Sequence, residues 1–288
     1  MAYKLIEGGG VTTPKGFLAG ACYVGVKSRK SEKPDVAIIY SEQPASCAAM
    51  FTTNKFCAAP VILDREILKK GKARAVVINS GNANAATGEQ GIKDAKTVET
   101  EAEKLLGLGE DEVFVCSTGV IGQKLPVEKV LEGVRRIVPD MSVEKGTDAA
   151  WAIMTTDLVK KEVAYELELS GGTIRIGACA KGSGMIHPNM ATMLAYITTD
   201  AKIDAAVVQP MLKASTDKSF NMMTVDGDTS TNDSLFLLAN GASGVAVETE
   251  ADKAAFAEIL DMICMDMARR IASDGEGATH LMIVEAYG

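Results

Sequence analysis

Histidine is nearly absent: the 288-residue chain has two, His187 and His280. A Ser-His-Asp triad would need one of them, and neither lies in a recognisable setting, so each reads as a satisfied structural histidine. The six cysteines (Cys22, Cys47, Cys57, Cys116, Cys179 and Cys264) are scattered and include no CxxC pair. That excludes the usual zinc and dithiol patterns and fits free thiols buried in a reducing compartment. There is no P-loop and no G-x-G-x-x-G, so nucleotide folds lack local support. No basic run occurs, and the net charge is −8 with a sequence pI near 5.0, which argues against a nucleic-acid-binding surface. No stretch approaches the roughly eighteen apolar residues of a membrane span. The opening residues lack the apolar core of a signal peptide, and the expected location is the cytoplasm.

What the chain does have is an ordinary globular make-up, 47% hydrophobic and 24% charged. Strand-like runs fall at 36–40, 75–79, 113–116, 163–169, 173–180, 193–198, 234–238 and 281–286. Helical spacing predicts helices over 91–106, 126–138 and 251–273, with a fourth over 204–220 bent or restarted at Pro210. Gly171-Gly172 joins two of the strands as a hairpin, implying antiparallel pairing. Helices flank strands without strict βαβ alternation. The expected fold class is therefore α+β, a layered sandwich of mainly antiparallel sheets flanked by helices. No linker divides residues 1–288, which read as one catalytic unit.

Several motifs fail on inspection. Gly182-Ser183-Gly184 would need glycine in place of Lys181 and Met185 to be a nucleophile elbow. Asp226 to Asp233 resembles a calcium loop, but Thr231 and Leu237 occupy the positions where glycine and glutamate are required. It reads as a tight polar turn, and neither a metal nor another cofactor is expected. Four segments survive. After the apolar run 113–116, Ser117-Thr118-Gly119 offers a hydroxyl and an unencumbered backbone N–H, the parts of an oxyanion hole or of a plain strand-ending turn. Residues 79–85, rich in amides, line a polar pocket or form a rigid turn network. Thr155-Thr156-Asp157 gathers two hydroxyls and a carboxylate.

The last segment runs from Lys181 through Gly182, Gly184 and Pro188 to Ala191-Thr192. One reading is a loop-to-strand junction with threonine placed for its β-propensity. The other is a bond that the chain cuts itself. Thr192 Oγ would attack the Ala191 carbonyl to form an ester that water resolves, and Ala191 puts little bulk over that carbonyl. The freed α-amine, with an intrinsic pKa of about 8, would then serve as base for its own hydroxyl, which removes the need for histidine.

Together these segments resemble the ornithine acetyltransferase family, also called glutamate N-acetyltransferase, of arginine biosynthesis. The resemblance extends from Gly8-Gly9-Gly10 to Asp274–Thr279 and is most specific at 79–85, 117–119, 181–194 and 224–234. It implies the fold of the self-cleaving aminopeptidases and cleavage between Ala191 and Thr192. Residues 1–191 become an α chain, 192–288 a β chain, and the two assemble as an α2β2 heterotetramer. It implies a ping-pong transfer of acetyl from N-acetylornithine to glutamate through acetyl-Thr192, and in some members the use of acetyl-CoA. By motif matching, Thr118 and Gly119 form the oxyanion hole, and Thr155, Lys181, Thr192 and Glu276 contact substrate. The chain departs from the family in lacking the further C-terminal segment, which supplies more substrate contacts. The rival expectations are an amidase or aminopeptidase of the related fold, releasing acyl groups to water, and a shortened, uncleaved and inactive chain.

Overall fold

The computed structural model describes residues 3–27, 33–187 and 193–285. Among the described residues, nine strands form one hydrogen-bonded sheet: β1 (Tyr3–Leu5), β2 (Phe17–Cys22), β3 (Val36–Phe51), β4 (Lys72–Asn82), β5 (Val113–Val120), β6 (Lys161–Leu169), β7 (Gly172–Lys181), β8 (Leu194–Thr199) and β9 (Ser234–Ala239). The order across the sheet is β1-β6-β7-β8-β9-β3-β4-β5, with β2 paired to β3. Strand β3 makes this order possible. Its first part pairs with β2 and β4, the register shifts between Tyr40 and Ala45, and its last part, Ser46 to Phe51, pairs with β9.

Period-two alternation shows how the sheet is folded over. In β4 and β5, Val76, Ile78, Phe114 and Cys116 enter a central cluster, whereas Ala75, Val77, Val113 and Val115 face the opposite way. In β8 and β9, Leu194, Tyr196, Phe236 and Leu238 join the same central cluster, while Ala195, Ile197, Leu235 and Leu237 face outward. Phe236 lies at the middle of the seam, 4.6 Å from the Phe114 ring and 6.1 Å from a stacked Tyr196. The two outer faces are covered by helices. On the side of β3 to β5 lie Val98 and Ala102 of α2 (Gly88–Leu106) and Val130 and Val134 of α3 (Val127–Ile137). On the side of β6 to β9 lie Val208 of α5 (Ala205–Asp217) and Phe256, Ile263 and Met267 of α6 (Glu250–Ser273). Two further helices, α1 (Ala59–Leu68) and α4 (Gly146–Ala152), send Ile67 and Ala149 into the central cluster.

The expected layers are present, as is the antiparallel β6–β7 hairpin at Gly171-Gly172. Two pairs run parallel, β4–β5 and β8–β9, each joined through a helix, α2 and α5 respectively. Helix α5 passes through Pro210 without a break. One expected strand does not form: residues 281–285 have no strand pairing, and Met282 and Val284 are about four-fifths exposed. An apolar run becomes a strand only where a partner edge offers hydrogen bonds. The two histidines are not core residues. His187 and His280 are exposed, and His280 Nδ1 shares a hydrogen bond of 2.9 Å with the neighbouring Thr279 hydroxyl. Among the described residues no helix is long and apolar enough to cross a membrane.

Candidate active site

Strands β4, β5 and β7 finish, and β8 and β9 begin, at the same end of the folded sheet: Lys181 pairs with Leu194, and Leu194 with Ser234. A cavity of about 610 Å³ opens there, within the range of small-ligand sites. Its lining includes Thr118, Gly119, Thr155, Lys181 and Glu276, which lie far apart in sequence. Thus five of the expected site residues converge. Ala191 and Thr192 lie outside the described residues. Next to them, Met193 is buried and donates its N–H to Asp233 Oδ1 at 3.0 Å, and Ser234 N–H donates to the Met193 carbonyl at 3.2 Å.

The turn at Thr118-Gly119 is built by close backbone approach. Gly119 has φ +133°, and a Cβ there would lie 2.3 Å from the Gly81 carbonyl carbon and 2.6 Å from Asn82 N. Gly81 in turn has φ +114°, and a Cβ on it would lie 2.8 Å from Lys27 N. Three backbone segments therefore stack behind the cavity with no room for side chains between them. The amide-rich segment 79–85 locks this stack. Asn79 Nδ2 donates to the Asn82 carbonyl at 2.8 Å, Ser117 Oγ donates to Asn79 Oδ1 at 2.6 Å, and Asn84 N–H donates to Asn82 Oδ1 at 2.8 Å. Asn232 ties the stack to β9 by donating to the Ala83 and Ser117 carbonyls at 2.7 and 2.9 Å. Gly81 and Ala83 also border the cavity, so this segment both braces and lines it.

The other wall carries the charge. Lys181 is buried, with Nζ 3.5 Å from Thr118 Oγ1 and 3.9 Å from Asp157 Oδ2. Burial pulls the Lys181 ammonium below its usual range, and the Asp157 charge opposes that fall. Burial would raise the Asp157 carboxyl, but Lys181, Lys161 and the Gly182 N–H together hold it below its ordinary value. Lys27, also in the lining, is drawn down to about 8 by burial against the opposing charge of Asp35. Glu276 reaches the cavity over Gly184, where a Cβ would lie 2.4 Å from Glu276 Oε2, and its N–H donates to the Ser183 carbonyl at 2.9 Å. The Asp226 turn clamps the same loop by accepting the Ile186 N–H at 2.9 Å and the Met185 N–H. Among the described residues no three His, Cys, Asp or Glu side chains are grouped to hold a metal.

Sequence reasoning left out Lys27, Asp233 and the buried ion cluster of Asp157, Lys161 and Asp274. Lys161 is fully buried, 2.9 Å from Asp157 Oδ1 and 2.6 Å from Asp274 Oδ2. The only sequence signal was Asp157 next to Thr155-Thr156, and a lysine in an amphipathic strand reads as a surface residue.

Known proteins resemble the chain over nearly its full length. The ArgJ family model matches residues 18–288. The arginine biosynthesis bifunctional protein ArgJ of Symbiobacterium thermophilum is 50% identical over 282 residues, covering 97% of this chain and 70% of that protein. Ornithine acetyltransferase from Mycobacterium tuberculosis, solved in complex with ornithine, is 38% identical with a TM-score of 0.60, covering 65% of this chain and 98% of that one. An L-aminopeptidase D-Ala-esterase/amidase from Ochrobactrum anthropi, a variant of the Ntn hydrolase fold, is 10% identical with a TM-score of 0.58, covering 93% of this chain and 86% of that one, a likeness of fold alone. The chain belongs to the ArgJ family and is an acyltransferase of arginine biosynthesis.

Proposed function

We propose that the chain moves acetyl from N-acetylornithine to glutamate through an acetyl ester on Thr192, after cutting itself between Ala191 and Thr192. The observation that carries this reading is the convergence of Thr118, Gly119, Thr155, Lys181 and Glu276 on one cavity at the sheet end where β8 begins. Cleavage is supported by the solved Mycobacterium tuberculosis chain, which is 98% covered by 65% of this one, close to the share that residues 1–191 represent.

In the first half-reaction Thr192 Oγ attacks the acetyl carbonyl, and its own α-amine accepts the hydroxyl proton. The Thr118 hydroxyl and the Gly119 N–H stabilise the oxyanion. The C–N bond breaks, the α-ammonium of Thr192 returns a proton to the leaving nitrogen, and ornithine departs. Glutamate then attacks the ester with its amine, and the same groups act in reverse. Lys181 takes a substrate carboxylate, Glu276 the ornithine side-chain ammonium, and the Thr155 hydroxyl a polar substrate atom. Neither half-reaction requires histidine. The relatives' name, "bifunctional", extends the reading to acetyl-CoA as a second donor.

The test is an exchange assay. Incubation with N-acetylornithine and glutamate should yield N-acetylglutamate and ornithine in equal amounts. Release of free acetate with no dependence on glutamate would instead favour an amidase that passes the acyl group to water. N-acetylglutamate formed from acetyl-CoA and glutamate alone would establish the second activity. Thr118→Ala should fold normally and lose transfer on the order of 10²-fold, the usual cost of one oxyanion donor. An unchanged rate would remove Thr118 from the hole. The α2β2 assembly belongs to the same reading, and light scattering of the purified protein checks it.

A further inference from the structure

We propose that Lys161 and Asp157 are positioning residues that keep the Lys181 ammonium from closing onto its counter-ion, ready for a ligand carboxylate. The inference rests on Lys181 being the carboxylate contact of the reading above.

The geometry of the Asp157 carboxylate is the starting point. Its Oδ1 accepts Lys161 Nζ at 2.9 Å and the Gly182 N–H at 2.7 Å, and its Oδ2 accepts the Thr155 N–H at 3.1 Å. These three donors come from β6, from the residue after β7 and from the loop before β6, and they fix the carboxylate in place. Lys181 Nζ is left 3.9 Å from Oδ2, well beyond the roughly 2.8 Å of a closed ammonium–carboxylate pair. Its other near contact among the described residues, Thr118 Oγ1, is also long at 3.5 Å. A buried cation held this way keeps the field of its counter-ion but retains capacity for an anion entering from the cavity.

Lys161 is what holds the two apart. Its ammonium has three donors and uses them on Asp157 Oδ1, on Asp274 Oδ2 at 2.6 Å and on the Val159 carbonyl at 3.2 Å. Asp274 also accepts the N–H groups of Leu158 and Val159, at 3.0 and 3.3 Å, and its carbonyl accepts Ser183 Oγ at 2.7 Å. One cluster thereby fixes the segments that carry Thr155, Lys181 and Glu276 relative to one another. Two ammoniums and two carboxylates balance in charge, so the cluster can be buried without a net ion. Without Lys161, Lys181 would be the nearest cation to Asp157 and the two would close.

The proposal has a signature in pH. Among the described residues, the charged groups facing Lys181 are Asp157, Lys161, Asp233 just before β9, and Lys27, with Glu276 across the cavity. Carboxylate binding should fade as pH rises through the lowered Lys181 value. Removing Lys161 takes away a repelling charge and frees Asp157, so that alkaline limb moves to higher pH although binding at neutral pH weakens. Removing the Asp157 charge moves the limb to lower pH. A cluster that served stability alone would leave the preference for a carboxylate-bearing ligand at neutral pH unchanged.

The experiment measures binding of L-ornithine and of putrescine, the same chain without its carboxylate, to the 288-residue protein by calorimetry across pH. Putrescine corrects for titration of the ligand's own side-chain amine. The parent should prefer ornithine. Lys161→Met should lose that preference by about tenfold or more and shift the alkaline limb up, whereas Asp157→Asn should shift it down. Because Lys161→Met leaves two buried carboxylates facing each other, the charge-balanced double variant Lys161→Met with Asp274→Asn guards against misfolding, and it should behave like the single change. A folded double variant with parental ornithine affinity and an unmoved limb overturns the proposal. A parent that does not distinguish ornithine from putrescine overturns the Lys181 reading, and the proposal with it.

Discussion

Thr192→Ala should purify as a single uncut chain and transfer no acetyl group, a loss on the order of 10⁴-fold or more, as when a covalent nucleophile is removed. Both effects have one cause, because the hydroxyl that opens the Ala191 carbonyl also carries the acetyl group. Thr192→Ser keeps a hydroxyl and should therefore retain cleavage and part of the transfer rate. Denaturing gel electrophoresis and the exchange assay read the two effects separately. An alanine variant that is cut and active would remove Thr192 from the chemistry. One that is cut but inactive would assign cleavage to another group while leaving the acetyl carrier in place.

The second large effect is expected at Gly119. A Cβ there would lie 2.3 Å from the Gly81 carbonyl carbon, and φ +133° is a conformation L side chains rarely adopt. Gly119→Ala must therefore push β5 away from β4 or change the turn, and either movement displaces the Gly119 N–H from the position where an oxyanion forms. A displacement of about 1 Å costs on the order of 10²-fold in rate, and loss of the donor as much as 10³-fold. A lower melting temperature should accompany it, because Gly81 is itself packed against Lys27. Thr118→Ala provides the contrast, since it removes a hydroxyl with no steric demand and should leave the melting temperature nearly unchanged. A Gly119→Ala protein with parental rate and stability would show that the stacked backbone is not the constraint it is taken to be.

Contiguity decided what the sequence made legible. Thr118 and Gly119 stood out because an apolar strand ends abruptly at a hydroxyl and a glycine, and Lys181 and Glu276 followed from segments that keep their family pattern. The sandwich followed from helices flanking apolar runs such as 75–79 and 113–116, whose alternate residues face two different cores in the structure. By contrast, Lys161 lies 113 positions from Asp274, and nothing local marks either as half of a buried pair. The full length of β3 was obscured because Gln43-Pro44 interrupts the apolar pattern where the strand shifts register between Tyr40 and Ala45. The run 281–286 misled for the opposite reason: its composition suits a strand, but residues 281–285 pair with no edge. The exposed His187 and His280 show that scarcity of a residue type says little about where the few copies lie.

The most direct test of the nucleophile is intact-mass spectrometry of the purified protein before and after addition of N-acetylornithine without glutamate. The account predicts a fragment beginning at Thr192 that gains one acetyl group on that residue and loses it when glutamate is added. A single species at 30.3 kDa that never acquires an acetyl group would contradict it.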